Sequence, residues 1–320
     1  MPDSREKLPH LPARPADAHK GTCGTVAVVG GHVDADRVMI GAPALSARAA
    51  LRAGTGLVRI VGPASLLPSM LEIEASATGV PLPEQGDELL PHGCVEVVDR
   101  VVTQSDCVAI GPGLGMGEAS RAMSLRAIQQ EEVPVVVDAD ALNCLAEVPE
   151  LHADFRAAAV LTPHPGEYRR LARALRLKEE PRSKEERLAA AESLAQRLGC
   201  VVVLKGEHTV VSDGLRSWLC GRGHPCLATA GTGDVLTGLI AGLVAQFVPR
   251  PDASMPSVLR ERMPPDPRRP LTLFDAARLA VEIHAIAGER WARETEASAG
   301  LRAQELADLL PVVVEAHRTR

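Results

Sequence analysis

The sequence predicts an α/β fold with a mostly parallel central sheet, on three observations. Short β-branched runs alternate with segments of helical period from about Thr25 onward, as parallel strands joined by helical crossovers do. The first run, Thr25 to Val29, reads as a buried strand that leads directly into Gly30 and Gly31. With 320 residues, of which 46% are hydrophobic, the chain can bury a full core and fits one large domain better than two.

Residues 1–19 read as an irregular N-terminal extension carrying four prolines, ahead of one domain over 20–320. Pro43 just inside a helix start and Gly54 just past its end bracket a helix over Ala44 to Ala53, and Leu57 to Val61 follows as a strand. Further strands are expected over Cys107 to Ile110, Val133 to Val137, Val160 to Thr162, Val201 to Leu204 and Thr209 to Val211. Glu185 to Leu198 is rich in Ala, Leu, Glu and Arg and stops at Gly199, as an exposed helix does. Asp234 to Phe247 carries apolar residues at 235, 236, 239, 240, 243, 244 and 247, a helical stripe, with small Gly238, Ala241 and Gly242 allowing close packing. Pro249 to Pro270 holds seven prolines and reads as an irregular insertion, after which a helical pattern resumes from Leu273 to Arg290.

Composition removes several classes of function. The formal charge is −6 and basic residues are dispersed, so no nucleic-acid partner is expected, and 2% aromatic content argues against a base-stacking surface. The first twenty residues lack the apolar stretch of a signal peptide, and no segment is long enough to span a bilayer without charge, so a cytoplasmic location is expected. Seven cysteines, an odd number with no CxxC pair, read as reduced thiols.

Five segments carry glycines, acids or a lone basic residue where a strand pattern ends: GPGLG from Gly111, DADALN from Asp138, TPHPGE from Thr162, KGEHT from Lys205 and AGTGD from Ala230. In an open parallel sheet the carboxyl ends of strands converge on one crevice, so these segments are expected to line a single site. The most informative is ATAGTGDVLTG, from Ala228 to Gly238. Helix onset leaves unpaired N–H groups that favour a phosphate, Gly231 and Gly233 let the backbone come close to it, and Asp234 could hold or deprotonate an attacking hydroxyl. The plainer readings stay open at this level: Asp234 as a helix cap, DADALN as a helix start, TPHPGE as a stiff turn and KGEHT as a hairpin with an exposed lysine. TVAVVGG lacks the third glycine of a dinucleotide-binding turn, and no Walker loop, GxSxG elbow or HExxH pair is present.

Taken in order, HKGTCGTVAVVGG, GAPALSARAALRAGTGLV, GPGLG, VVVDADALN, LTPHPGEYRRLA, VVLKGEHTVV, ATAGTGDVLTGLIAGLVAQ and GLRAQELADLLP, spanning Lys20 to about Pro311, resemble the ADP/ATP-dependent (S)-NAD(P)H-hydrate dehydratase family. The resemblance implies a ribokinase-like three-layer α/β/α sandwich, related to carbohydrate kinases, and a role in nicotinamide nucleotide repair. Members dehydrate (6S)-NADHX or NADPHX to NADH or NADPH at the expense of ADP or ATP, ADP use giving AMP and phosphate. Phosphorylating the ring hydroxyl makes it a leaving group, the ring nitrogen lone pair helps expel phosphate, and loss of a proton from the next carbon restores the double bond. Such a reaction asks the protein mainly to position reactants and stabilise moving charge.

Carried over residue by residue, Asp234 matches the acid that contacts the hydrate and activates its hydroxyl. Ala42, Gly113 and His164 match contacts to the hydrated dinucleotide. Lys205, Gly206, Glu207, His208 and Thr209, with Thr229, Ala230, Gly231, Thr232 and Gly233, match the adenine-nucleotide site. Glu167, three residues after His164, resembles the NxxE element that organises Mg²⁺ and phosphate; His164 and Glu167 also read as a turn histidine and a first-turn acid. Mg²⁺ is expected to be held through phosphate oxygens and water, with no direct protein ligand. The resemblance further implies a homo-oligomer, with a tetramer as one form. It also implies a separate epimerase that supplies the S hydrate, because only about twenty residues precede the matching region. The chain departs from the family pattern at His224 and Cys226, where an Asn and a Gly are expected, and in the loop His32 to Met39. Two rival functions share the same residues: a small-molecule kinase of this fold that stops at the phosphate ester, and a non-catalytic nucleotide sensor.

Overall fold

The computed structural model describes residues 7–34, 36–86, 88–250 and 268–319. Nine strands form one sheet: β1 (Thr25–Val29), β2 (Leu57–Pro63), β3 (Thr78–Leu82), β4 (Cys107–Ile110), β5 (Val135–Val137), β6 (Ala159–Leu161), β7 (Val201–Leu204), β8 (Val210–Ser212) and β9 (Ser217–Leu219). Their order across the sheet is β9-β8-β7-β6-β5-β4-β1-β2-β3, and every neighbouring pair is parallel except the two that β8 makes.

Side chains on a strand alternate between its faces, and here both faces are dry. Val26, Val28, Cys107, Ala109 and Val136 join a core with α1 (Gly41–Arg52) and α2 (Leu67–Ile73) on one side. Ala27, Val29, Val108, Ile110, Val135 and Val137 join a second core on the other, against α3 (Pro91–Thr103), α4 (Glu118–Gln129), α5 (Ala139–Leu145), the single turn α6 (Leu151–Asp154), α7 (Pro165–Ala174) and α8 (Lys184–Leu198). The first layer is completed by α9 (Thr232–Phe247), α10 (Leu273–Thr295) and α11 (Ala303–Ala316), which gives the three-layer sandwich.

Helix α9 lies across α1 at backbone contact. A Cβ added at Gly238 would stand 2.0 Å from the Ser46 carbonyl oxygen, and one at Gly242 3.0 Å from Ala53 Cβ, so the small residues of the α9 stripe are there for α1. Ser46 Oγ in turn donates to the backbone oxygen of Asp234 at 2.8 Å, which seats the start of α9 over the sheet.

Element ends shift by a few residues from the expected ones, for local reasons. The strand expected from Val133 begins at Val135, after Pro134, which cannot donate to a ladder. The helix expected from Ala44 starts at Gly41 and takes Pro43 into its first turn, where a missing N–H costs nothing. The helix expected to stop at Arg290 runs on to Thr295. The strands expected at Val160 and Thr209 sit one residue earlier and one later, at Ala159–Leu161 and Val210–Ser212. Of the N-terminal extension, residues 7–19 form no helix, yet Leu11 is fully buried and pairs by its N–H and carbonyl with His317 and Thr319 at 2.8 Å. Of the proline-rich stretch expected from Pro249 to Pro270, residues 251–267 lie outside the described residues.

Candidate active site

The chain leaves β1, builds β2 and β3 on one side, then returns to place β4 on the other, so the sheet reverses its winding between β1 and β4. A crevice opens at the carboxyl ends of strands at such a point. Two glycine turns form its floor, and they touch: a Cβ on Gly30 would lie 2.1 Å from the Pro112 oxygen, and one on Gly111 1.8 Å from the Asp138 oxygen. Backbone packs on backbone here, which is why side chains are missing from the sequence at these positions.

One buried carboxylate organises the crevice. Asp138 ends β5 with 2% of its side chain exposed. Its Oδ1 accepts from Lys205 Nζ at 2.8 Å and from Thr162 Oγ1 at 2.7 Å, and its Oδ2 accepts from Thr237 Oγ1 at 2.7 Å. Burial works against the charge, but the Lys205 ammonium and the three hydrogen bonds hold Asp138 below the ordinary carboxylate range. Lys205 is likewise buried against its charge, and Asp138 and Glu167 keep it protonated. The next residue, Ala139, takes φ 50°, a left-handed conformation that costs an alanine energy.

Asp234 sits in the first turn of α9, behind Gly231 at φ 89°. Its carboxylate accepts no hydrogen bond from the described residues, and burial, with Asp138 nearby, pushes its pKa up to about 7. The N–H groups of Gly233 and Asp234 find no acceptor among the described residues either, as expected of an uncapped helix start. A Cβ on Gly233 would meet only Lys205 Nζ, at 3.6 Å. An open, donor-lined turn is therefore flanked by one ammonium and one half-protonated carboxylate. Behind it the half-buried imidazole of His284, held down to about pKa 4 by desolvation, donates from Nε2 to the Thr232 carbonyl at 2.9 Å.

His164 and Glu167 form a reciprocal cap on α7. His164 Nδ1 accepts from the Gly166 N–H at 2.9 Å, and Glu167 Oε2 accepts from the His164 N–H at 2.8 Å. The turn histidine and first-turn acid read from sequence are thus both present, joined as a cap, and they stand beside Lys205 in the crevice. Glu167 Oε2 lies 3.9 Å from Lys205 Nζ, and burial pushes the Glu167 pKa up to about 7 against the pull of Lys205. Ala42 and Gly113 meet at the rim, where a Cβ on Gly113 would stand 3.4 Å from that of Ala42. The five residues from Lys205 to Thr209 do link the hairpin of β7 and β8, but Lys205 is 19% exposed and turned inward, so the exposed-lysine reading is wrong. Gly206 and Glu207 lie exposed at the tip, and Arg187 holds the loop by donating to the carbonyls of Leu204, Lys205 and His208. Thr229 and Ala230 are exposed before Gly231, and Thr232 is buried, its Oγ1 donating to the Leu227 carbonyl at 2.8 Å.

A family model described as NAD(P)H-hydrate dehydratase matches residues 26–312, nearly the whole of this architecture. The chain belongs to the NAD(P)H-hydrate dehydratase family. It is 33% identical over 308 residues to an ADP-dependent (S)-NAD(P)H-hydrate dehydratase of Cenarchaeum symbiosum, covering 95% of this chain and 93% of that one. An ADP/ATP-dependent NAD(P)H-hydrate dehydratase of Bacillus subtilis, co-crystallised with ATP and Mg²⁺, superposes with a TM-score of 0.70 at 27% identity over 97% of this chain and 99% of that one. A ribokinase-like superfamily protein of Enterococcus faecalis, 23% identical, superposes with a TM-score of 0.72 over 97% and 93% of the two chains, so the fold is ribokinase-like. The chain spans about half the length of the bifunctional NAD(P)H-hydrate repair enzymes that it also matches.

Within this member of the hydrate dehydratase family, the departure at His224 is locally compensated. His224 Nδ1 accepts from the Cys226 N–H at 3.3 Å and caps the turn Pro225–Leu227, the service an Asn would give, while Cys226 is buried and donates to the Gly288 carbonyl at 3.4 Å. Asp138, Thr162, Thr237 and Arg187 are the residues that motif reading passed over as site residues. An acid directly after VVV, at the end of a run too apolar to be exposed, was the available signal for Asp138.

Proposed function

We propose that this chain dehydrates (6S)-NADHX and NADPHX to NADH and NADPH with ADP as the phosphoryl donor, releasing AMP and phosphate. The observation that carries the reading is Asp234 itself: an unpaired, half-buried carboxylate with a pKa of about 7 beside an open helix start and the Lys205 ammonium. A carboxylate in that state accepts the proton of an attacking ring hydroxyl near neutral pH. The Gly233 and Asp234 N–H groups and Lys205 Nζ would take up the charge of the terminal phosphate as it moves to the hydroxyl oxygen and its bond to the remaining nucleotide breaks. Phosphate then leaves the ring carbon, and loss of a proton from the adjacent carbon restores the double bond.

Ala42, Gly113 and His164 would contact the hydrated dinucleotide, and Lys205 to Thr209 with Thr229 to Gly233 would bind the adenine nucleotide. Both oxygens of Asp138 are taken by protein donors, so Mg²⁺ fits here as an ion carried on phosphate oxygens and water, with Glu167 close enough to order that shell. Mg²⁺ would supply charge neutralisation on the phosphates. Among the described residues no helix is long and apolar enough to cross a membrane, and all seven cysteines are free and buried. The same reading has the chain work on small molecules in the cytoplasm, as a homo-oligomer and downstream of a separate epimerase that supplies the S form.

The test is to incubate the purified chain with the S hydrate, Mg²⁺ and either ADP or ATP while following absorbance of the reduced nicotinamide. Recovered absorbance with release of free phosphate is expected, faster with ADP. A stable phosphate ester would instead make the chain a kinase, and binding of both ligands without turnover a sensor.

A further inference from the structure

We propose that Asp138 is the positioning residue of this site, fixing the Lys205 ammonium against the open first turn of α9. The proposal rests on reading that turn as the receiver of a nucleotide's terminal phosphate. Asp138 is 2% exposed and meets only donors: two hydroxyls and one ammonium. A carboxylate so deeply buried is tolerated only when its charge is met. Each donor comes from a different element, with Thr162 following β6, Lys205 following β7 and Thr237 lying in the second turn of α9. The carboxylate thereby ties two strand ends to the helix whose first turn carries the unpaired N–H groups of Gly233 and Asp234. Lys205 has a second acid in reach, Glu167, but at 3.9 Å that contact is too long to orient the ammonium. The direction of Nζ is therefore set by Asp138, and that direction places it 3.6 Å from where a Gly233 side chain would begin.

A purely structural ion pair would predict less. Asp234 is faced by Asp138 after β5, by Asp140 in the first turn of α5, by Lys205 from the loop after β7 and by Glu167 from α7. Asp138 raises the proton affinity of Asp234 and Lys205 lowers it. Neutralising Asp138 removes one of the three carboxylates that raise Asp234 and leaves Lys205 opposed by Asp140 and Glu167, so Asp234 then titrates lower. Water admitted by loosened packing would lower it as well, so the midpoint supports the proposal only together with a loss of ADP affinity.

The experiment is Asp138→Asn in the full chain, read by calorimetric binding of ADP with Mg²⁺ and by carbon-13 NMR titration of the Asp234 carboxyl. ADP affinity is expected to fall about tenfold, the loss of one charge-assisted contact. The Asp234 midpoint is expected to fall by about one pH unit or more. Affinity within twofold of wild type overturns the proposal, whether or not the midpoint moves. If Asp138→Asn does not fold, Thr237→Val removes a single hydrogen bond to Asp138 while keeping its charge, so ADP affinity is expected to fall by less than tenfold with the Asp234 midpoint unmoved; unchanged affinity again overturns the proposal. Neither reading needs turnover, so a chain that binds ADP but fails to dehydrate the hydrate sinks the proposed function and leaves this assignment standing.

Discussion

Asp106 and Asp234 stand at opposite ends of the same sheet and show what each end is for. At the amino end, Asp106 accepts from the Thr25 N–H at 2.8 Å, Arg250 Nε at 3.0 Å and Arg269 Nη2 at 2.8 Å. Burial opposes its charge, yet Arg269 and the Thr25 N–H hold it below the ordinary range. At the carboxyl end, Asp234 is more deeply desolvated and has no donor from the described residues, and burial with Asp138 nearby pushes its pKa up to about 7. A carboxylate with its hydrogen bonds filled fastens the fold, and one left empty is available to a ligand. The fold supplies the difference through which side chains it brings alongside, since the two residues are chemically the same.

The sharpest way to break the contrast is Asp234→Asn, which is expected to cut dehydration by at least about a hundredfold while ADP affinity stays within about threefold. Wild-type-like turnover, measured as recovered nicotinamide absorbance, would reject the assigned base. Next in size, Gly233→Val fills the open turn beside Lys205 and is expected to weaken ADP about tenfold or more in calorimetry; unchanged affinity would show that phosphate does not approach there. Asp106→Asn, at the other end, is expected to cost about 1–3 kcal/mol in urea unfolding at pH 7 and to leave the kinetic constants of the folded enzyme alone. Because the Asp106 pKa is lowered on folding, that loss is present above its ordinary value of 3.8 and vanishes as acid protonates it in both states.

The pH responses of the two ends have opposite signs. Activity is expected to rise with pH through about 7 as Asp234 ionises, and a profile flat from pH 5.5 to 8 would contradict this. The smallest effect is on stability. The raised pKa of Asp234 means that ionising it costs the folded state energy progressively from about pH 4 to 7. Asp234→Asn is therefore expected to be more stable than wild type by about 1–2 kcal/mol at pH 8, screened by its partial exposure, and nearly equal at pH 4. Urea midpoints at the two pH values check it.

Elements with strong local signals were legible: the Ser183-capped α8 ending at Gly199 and the glycine-bearing stripe of α9 both stand where period and caps placed them. The helix α3 was not picked out, because PHGCVEVVDRVVT is rich in valine and its residues favour strands until packing against the sheet decides otherwise. Strands β3 and β9 escaped for a related reason. TGVPL carries a proline that is tolerated because β3 lies at the sheet edge, and SWL is three residues long. Among site residues, Asp234 stood out because glycines precede it at a helix start, whereas Lys205 sits in a polar hairpin loop, KGEHT, whose composition gives no sign that its side chain is buried.

The sequence by itself determined the alternation of strands and helices and the five turns that follow strand patterns, because β-branched runs, helical period and glycine turns are local properties written within a dozen residues. Tertiary structure alone decided which acids in that crevice carry charge. Lys205 and Thr237 reach Asp138 across 67 and 99 residues of chain, while no donor among the described residues reaches the Asp234 carboxylate. Protonation follows from the donors and charges standing within a few ångströms, and those neighbours exist only once the sheet has assembled.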